Sequence, residues 1–174
     1  LAPKPGETLL DLCAAPGGKT CLVAQCMQGE GRLTAMDIEP RRLDLLNENL
    51  KRLGIDWVQT ELYEPQLKES LSRVYDGVLV DAPCSNTGVM RRRSDVRWRL
   101  EPASIAAQAQ KQDALLRRAA EFVKPGGRLV WSTCSLEEEE NELCVRRFLE
   151  GESRFQLEQE RRTTPFMDGV DGAY

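Results

Sequence analysis

Three short stretches hold the side chains most able to do chemistry. Residues 11–20 read DLCAAPGGKT, residues 81–88 read DAPCSNTG and residues 132–135 read STCS. A thiol at the mouth of a buried strand is either a core residue or a nucleophile, and as a thiolate it can add to an electrophilic carbon. Asp81 stands just before Cys84, so mechanism alone would choose Cys84 as the activated thiol. Cys134 offers a second thiol in a similar place.

The chain has six cysteines, at 13, 21, 26, 84, 134 and 144, and no histidine. A free thiol of pKa ~8.5 is only a few per cent ionised near neutrality. With no imidazole in the chain, a thiolate here must be stabilised by cations or N–H dipoles. No pair has CxxC spacing, so no metal is expected. Cys21, Cys26 and Cys144 fall within helical patterns and read as core or helix-face residues.

The loop at 11–20 has competing readings. A phosphate-binding P-loop needs GxxxxGK[ST], and Cys13 stands where its first glycine should be. The dinucleotide fingerprint GxGxxG is absent. S-adenosylmethionine suits the loop better. Gly17 and Gly18 allow close backbone approach, and a helix N-terminus favours the ligand's carboxylate. Asp11 suits the sulfonium, and Asp37, at the end of the next strand, suits the ribose diol. Asp37 could also be simply the acid ahead of a helix that starts at Pro40.

These residues need strands and helices to place them. TLLDLC (8–13), GRLTAMD (31–37), a weak segment near 57–62, DGVLVD (76–81), RLVWST (128–133) and a short segment near 154–158 read as strands. Helices are expected at 19–27, 40–53, 103–123 and 136–149, with Leu43, Leu46, Leu50 and Leu53 at helical spacing in the second. Alternating units of this kind imply an α/β, Rossmann-like fold, a mostly parallel sheet with helices on both faces. Ligands of such sheets bind outside the carboxyl ends of the strands, where all three stretches fall.

The 174 residues suit one domain, spanning 1–174, with 41% hydrophobic and 30% charged residues. The start at Leu1 reads as an excised domain, and the end reads as a last strand cut short. No apolar run approaches a membrane span, and no targeting segment is visible, so a cytoplasmic monomer with free thiols is expected. Net charge is −4, yet Arg91, Arg92, Arg93, Arg97 and Arg99 crowd around Trp98. That cluster is either a solvated loop or a phosphate-binding patch with a stacking aromatic.

DLCAAPGGKT, DAPCSNTG and STCS together closely resemble the Sun/Nop, RsmB-like family of RNA cytosine-C5 methyltransferases, over the whole chain. The resemblance implies the family's catalytic domain, without its N-terminal RNA-binding part, on a Rossmann-like S-adenosylmethionine-dependent methyltransferase fold. It implies that Cys13, Ala14, Ala15, Pro16, Gly17, Gly18 and Lys19 line S-adenosyl-L-methionine, that Asp37 binds its ribose, and that Asp81 lies near cofactor and base. Cys134 becomes the nucleophile and Cys84 the base or release thiol. The family's adenine-binding Gly-Asp is missing, and Glu61 is the nearest match.

In that chemistry a thiolate adds to carbon 6 of cytosine and makes carbon 5 nucleophilic. Asp81 would share a proton at N3, and Lys19 is the candidate counter-cation for the thiolate. Ser135 and Glu138 form an S-x-x-E capping box, so a helix dipole starting beside Cys134 is expected to favour its thiolate. The base must be single-stranded or flipped, with the arginines on flanking phosphates of the RNA, ribosomal rather than transfer. Two alternatives are a DNA cytosine methyltransferase that attacks through Cys84 and an RNA-binding module that holds the cofactor without turnover.

Overall fold

The computed structural model describes residues 1–64 and 74–174. These form two compact units, Leu1–Asp81 with Arg118–Val130, and Ala82–Arg117 with Trp131–Tyr174.

The chain runs β1 (Thr8–Asp11), α1 (Gly18–Met27), β2 (Arg32–Asp37), α2 (Pro40–Arg52), β3 (Gln59–Leu62), β4 (Tyr75–Asp81), α3 (Val96–Arg99), α4 (Pro102–Ala120), β5 (Val123–Ser132), α5 (Glu142–Gly151) and α6 (Pro165–Asp168). The five strands form one sheet in the order β3-β2-β1-β4-β5. The pairings β1–β2, β1–β4 and β2–β3 are parallel. Strand residues of both parities are buried, Leu9 with Leu10 and Leu79 with Val80, so both sheet faces are covered, as in parallel sheets. On one face Val23, Ala24 and Met27 of α1 pack with Leu9, Leu33 and Leu79. Leu43, Leu46 and Leu50 of α2 pack with Ala15 and Ala35. The expected α/β, Rossmann-like architecture is therefore present.

The strand order reverses at β1, whose neighbours are β2 and β4. Such a switch point opens a crevice at the carboxyl ends of the strands. Asp11, Asp37 and Asp81 are the last residues of β1, β2 and β4.

Two expected elements differ. No strand forms at 154–158. Phe155 is anchored on Phe148, ring centroids 5.4 Å apart, but Leu157 is exposed, and the alternating pattern finds no partner strand. The helix expected at 136–149 begins at Glu142, as α5, rather than at 136. The hydroxyl of Ser135 accepts the N–H of Glu137 at 3.0 Å, not that of Glu138, and turns follow up to Asn141. The capping box is not made, and the helix dipole expected beside Cys134 is absent.

Candidate active site

In the first unit the loop after β1 is bound down on several sides. Leu12 donates to the Leu79 carbonyl at 2.9 Å, and Ala14 to that of Met36 at 2.8 Å. The N–H of Ala15 reaches Asp37 Oδ2 at 3.2 Å. Arg42 of α2 donates to the Ala15 carbonyl and pairs with Asp37 at 3.4 Å. Asn49 donates to the Pro16 carbonyl at 2.9 Å. Arg42 and Asn49 stand two helical turns apart on one face of α2, a spacing that could have flagged them as loop clamps in the sequence. Gly17 caps α1 at φ 106°, and a Cβ there would lie 2.6 Å from Leu46 Cδ1, so the position requires glycine.

Asp11 is buried and accepts the Thr20 hydroxyl at 2.7 Å on Oδ2. Its Oδ1 has no hydrogen-bond partner among the described residues. Burial, more than any neighbour, pushes the Asp11 carboxyl up to about 6. Burial, followed by the charges of Asp11, Asp37 and Asp81, pushes the Cys13 thiol up to about 12, which disfavours its thiolate. Lys19, expected as a thiolate counter-cation, forms an ion pair with Asp81 at 2.7 Å, and both side chains are part-exposed. Glu61 is exposed and stands in register with Met36, one residue before the end of β3.

In the second unit the two candidate thiols meet. Cys84 Sγ and Cys134 Sγ are 3.3 Å apart, across fifty residues of chain. The Cys134 thiol donates to Asn86 Oδ1 at 3.1 Å, while Asn86 Nδ2 donates to the Cys84 carbonyl at 2.8 Å. Asn86 has φ 63°, a left-handed conformation that asparagine tolerates well. The Cys84 thiol is pushed up by its hydrogen bond with Cys134 and then by burial. Gly88 donates to the Cys134 carbonyl at 3.0 Å, which ties the second thiol's backbone to the first thiol's loop.

Glu140 is the residue that sequence reasoning missed. It closes a run of four acids, Glu137 to Glu140, yet it is fully buried. Its carboxyl accepts the Ser85 N–H at 2.9 Å, the Ser85 hydroxyl at 2.5 Å and Gln112 Nε2 at 3.2 Å. Cys144 is a buried core thiol, pushed up to about 11 by burial.

Three of the clustered arginines are already in ion pairs, two of them sharing one carboxylate. Arg91 and Arg92 pair with Asp171 at 2.5 and 3.0 Å, and Arg99 pairs with Asp95 at 3.0 Å. Arg93 and Arg97 have no ion pair among the described residues, and Trp98 is 89% exposed. A pocket of about 190 Å³ is lined by Cys84, Val96, Arg99, Leu100 and Gln108, with Ser85 and Ser104. Among the described residues no cluster of His, Cys, Asp and Glu is arranged for a metal, and no helix is long and apolar enough to cross a membrane.

The sequence model of the 16S rRNA methyltransferase RsmB/F family matches residues 1–171. The probable ribosomal RNA small subunit methyltransferase B of Synechocystis sp. is 41% identical over 95% of this chain and 37% of its own length. That of Bacillus subtilis is 37% identical over 90% of this chain and 35% of its own. The chain thus spans little more than a third of these relatives. The crystal structure of NSun6 from Pyrococcus horikoshii with SFG superposes with a TM-score of 0.86 at 32% identity, covering 98% of this chain and 47% of that one.

Proposed function

Because the chain belongs to the 16S rRNA methyltransferase RsmB/F family, we propose that residues 1–174 are the catalytic domain of an S-adenosylmethionine-dependent enzyme that methylates carbon 5 of a cytosine in ribosomal RNA. The observation that carries the proposal is the contact of the Cys84 and Cys134 sulfurs at 3.3 Å. Two thiols in one part-buried loop pair suit a reaction that needs one sulfur to add to the base and another to help it leave.

The first unit suits the cofactor. When bound, S-adenosylmethionine supplies an electrophilic methyl group on a cationic sulfur. The unpartnered, buried Asp11 Oδ1 is an acceptor that a cationic or N–H donor end of a ligand would satisfy. Asp37 Oδ1 takes one N–H, from Glu39 at 3.2 Å, and retains acceptor capacity for a ribose hydroxyl. Backbone from Cys13 to Gly18 would line the ligand, with Lys19 and Asp81 as a paired acid and base at the reacting end and Glu61 toward the adenine.

The thiols then divide the work. While a proton is shared between sulfurs 3.3 Å apart, ionisation of one disfavours ionisation of the other, so Cys84 keeps its proton as Cys134 attacks carbon 6. Once the Cys134 sulfur is bonded to carbon it carries no negative charge and donates no hydrogen bond. The hydrogen bond and the charge of Cys134 that hold Cys84 protonated are then relieved, Cys84 gives its proton to solvent, and as a thiolate it takes the carbon-5 proton while the Cys134–carbon bond breaks and Cys134 leaves as a thiolate. Asp81 would hold the N3 edge of the ring.

The test is transfer of labelled methyl from S-adenosylmethionine to RNA, with the product nucleoside read by mass spectrometry. Label in 5-methylcytidine of ribosomal RNA is expected. Label in another nucleoside, a preference for DNA, or cofactor binding without turnover on every RNA would overturn the proposal.

The elevated Asp11 carboxyl adds a pH signature. Only the ionised form attracts a cationic ligand, so S-adenosylmethionine should bind more tightly as pH rises through about 6, and Asp11→Asn should flatten the profile in calorimetry. For stability the sign is opposite. A carboxyl raised from 3.8 to about 6 on folding contributes most below pH 3.8, and that contribution is lost as pH rises through 6.

Removal of a phosphate contact lowers the slope of log affinity against log salt by about 1. Arg93→Ala and Arg97→Ala should each do so for RNA binding, whereas Arg99→Ala, already paired with Asp95, should change it less.

A further inference from the structure

We infer that Glu140 is a positioning residue that holds the two thiols in register for reaction. The inference rests on the reading of Cys134 and Cys84 as the reacting pair. Glu140 stands one step back from the sulfurs. It acts on the residues that flank them. Ser85, directly after Cys84, gives Glu140 both its N–H, at 2.9 Å, and its hydroxyl, at 2.5 Å. Pro83, directly before Cys84, is reached through Gln112, whose Nε2 lies 2.8 Å from the Pro83 carbonyl and 3.2 Å from Glu140 Oε1. The first thiol is thus bracketed by one carboxyl.

The second thiol is tied in through Ser135, directly after Cys134. The hydroxyls of Ser85 and Ser135 are 3.0 Å apart, and Thr87 Oγ1 lies 3.3 Å from the same Ser135 oxygen. Glu140 is itself anchored, because Trp131 Nε1 donates to its backbone carbonyl at 3.2 Å. A chain of short polar contacts therefore runs from Trp131 through Glu140 and Ser85 to Ser135, and it passes both cysteine backbones. Each carboxyl oxygen is used, Oε1 by the Ser85 N–H and Gln112 and Oε2 by the Ser85 hydroxyl, so an amide keeps one acceptor oxygen and the bond donated by the Ser85 hydroxyl is lost or reversed.

Glu140→Gln and Ser85→Ala test this, the second because it removes only the hydroxyl arm and leaves the fold safe if the first does not fold. Two readouts are needed. One is steady-state methyl transfer. The other is the rate at which diamide links Cys84 to Cys134, counted by mass spectrometry of the joined peptides. Diamide takes up the two thiol hydrogens and is reduced to the hydrazine as the S–S bond forms. In the wild type the sulfurs need only close from 3.3 Å to a bond of about 2.05 Å. In folded variants kcat should fall by ~10²-fold, the scale of a small misplacement of reacting groups, with KM for S-adenosylmethionine unchanged. Disulfide formation should slow about tenfold as the effective concentration of a held pair is lost. A folded variant that cross-links at the wild-type rate overturns the inference, whatever its activity. A wild type that cross-links quickly but methylates nothing would sink the functional reading instead, and the cross-linking comparison would still decide the role of Glu140.

Discussion

Cys134→Ala should abolish methyl transfer, with kcat down by ~10⁴-fold or more, the scale seen when a covalent nucleophile is removed. Cys84→Ala should behave differently. The addition to carbon 6 can still occur, because the Cys134 sulfur, its backbone carbonyl held by Gly88 and its thiol placed by Asn86, does not depend on the Cys84 side chain for its position. Release should fail, and the enzyme should remain bonded to RNA. A denaturing gel of Cys84→Ala with RNA and S-adenosylmethionine should show a band shifted by the mass of the RNA, absent from Cys134→Ala. The opposite pattern, an adduct only in Cys134→Ala, would assign the attack to Cys84. No adduct in either, beside an active wild type, would sink the two-thiol mechanism.

The same pair shows what could and could not be read from the sequence. The strands that end at Asp11, Asp37 and Asp81 are legible because a parallel sheet covered on both faces demands continuous apolar runs, and each run stops at an acid. The clamp on the loop after β1 is half-legible. Arg42 and Asn49 repeat at helical spacing, but nothing in a one-dimensional pattern says that their targets are the carbonyls of Ala15 and Pro16. Glu140 is illegible, since its neighbours Glu137, Glu138 and Glu139 give the same local composition and only the turn before α5 rotates the fourth acid inward. The capping box failed for a related reason. Ser135 has competing partners, the hydroxyls of Ser85 and Thr87 and the N–H of Glu137, and tertiary contacts outweighed the local signature. The pairing of Arg91 and Arg92 is illegible, because Asp171, the one carboxylate they share, lies eighty residues from Arg91.

Gly88→Ala should damage both activity and stability. A Cβ on Gly88 would collide with the backbone carbonyl oxygen of Gly172 and lie 2.9 Å from the Cys134 carbonyl oxygen. Neither obstacle is the end of a flexible side chain. Gly172 donates to the Gly88 carbonyl at 2.9 Å, and Thr133 and Tyr174 exchange hydrogen bonds at 3.0 Å beside it, so the Gly172 segment cannot retreat without breaking those bonds. The alternative is to push the Cys84 loop away from Cys134. Overpacking of this kind costs about 1–3 kcal/mol, measurable as a lower unfolding midpoint in urea. Displacement of a reacting group by ~1 Å costs about 10²-fold in rate, so methyl transfer should fall far more than stability does. S-adenosylmethionine affinity should be unchanged, because the residues assigned to it lie in the first unit. A folded Gly88→Ala that methylates RNA at the wild-type rate would show that the backbone junction at Cys134 is not what sets the thiol geometry.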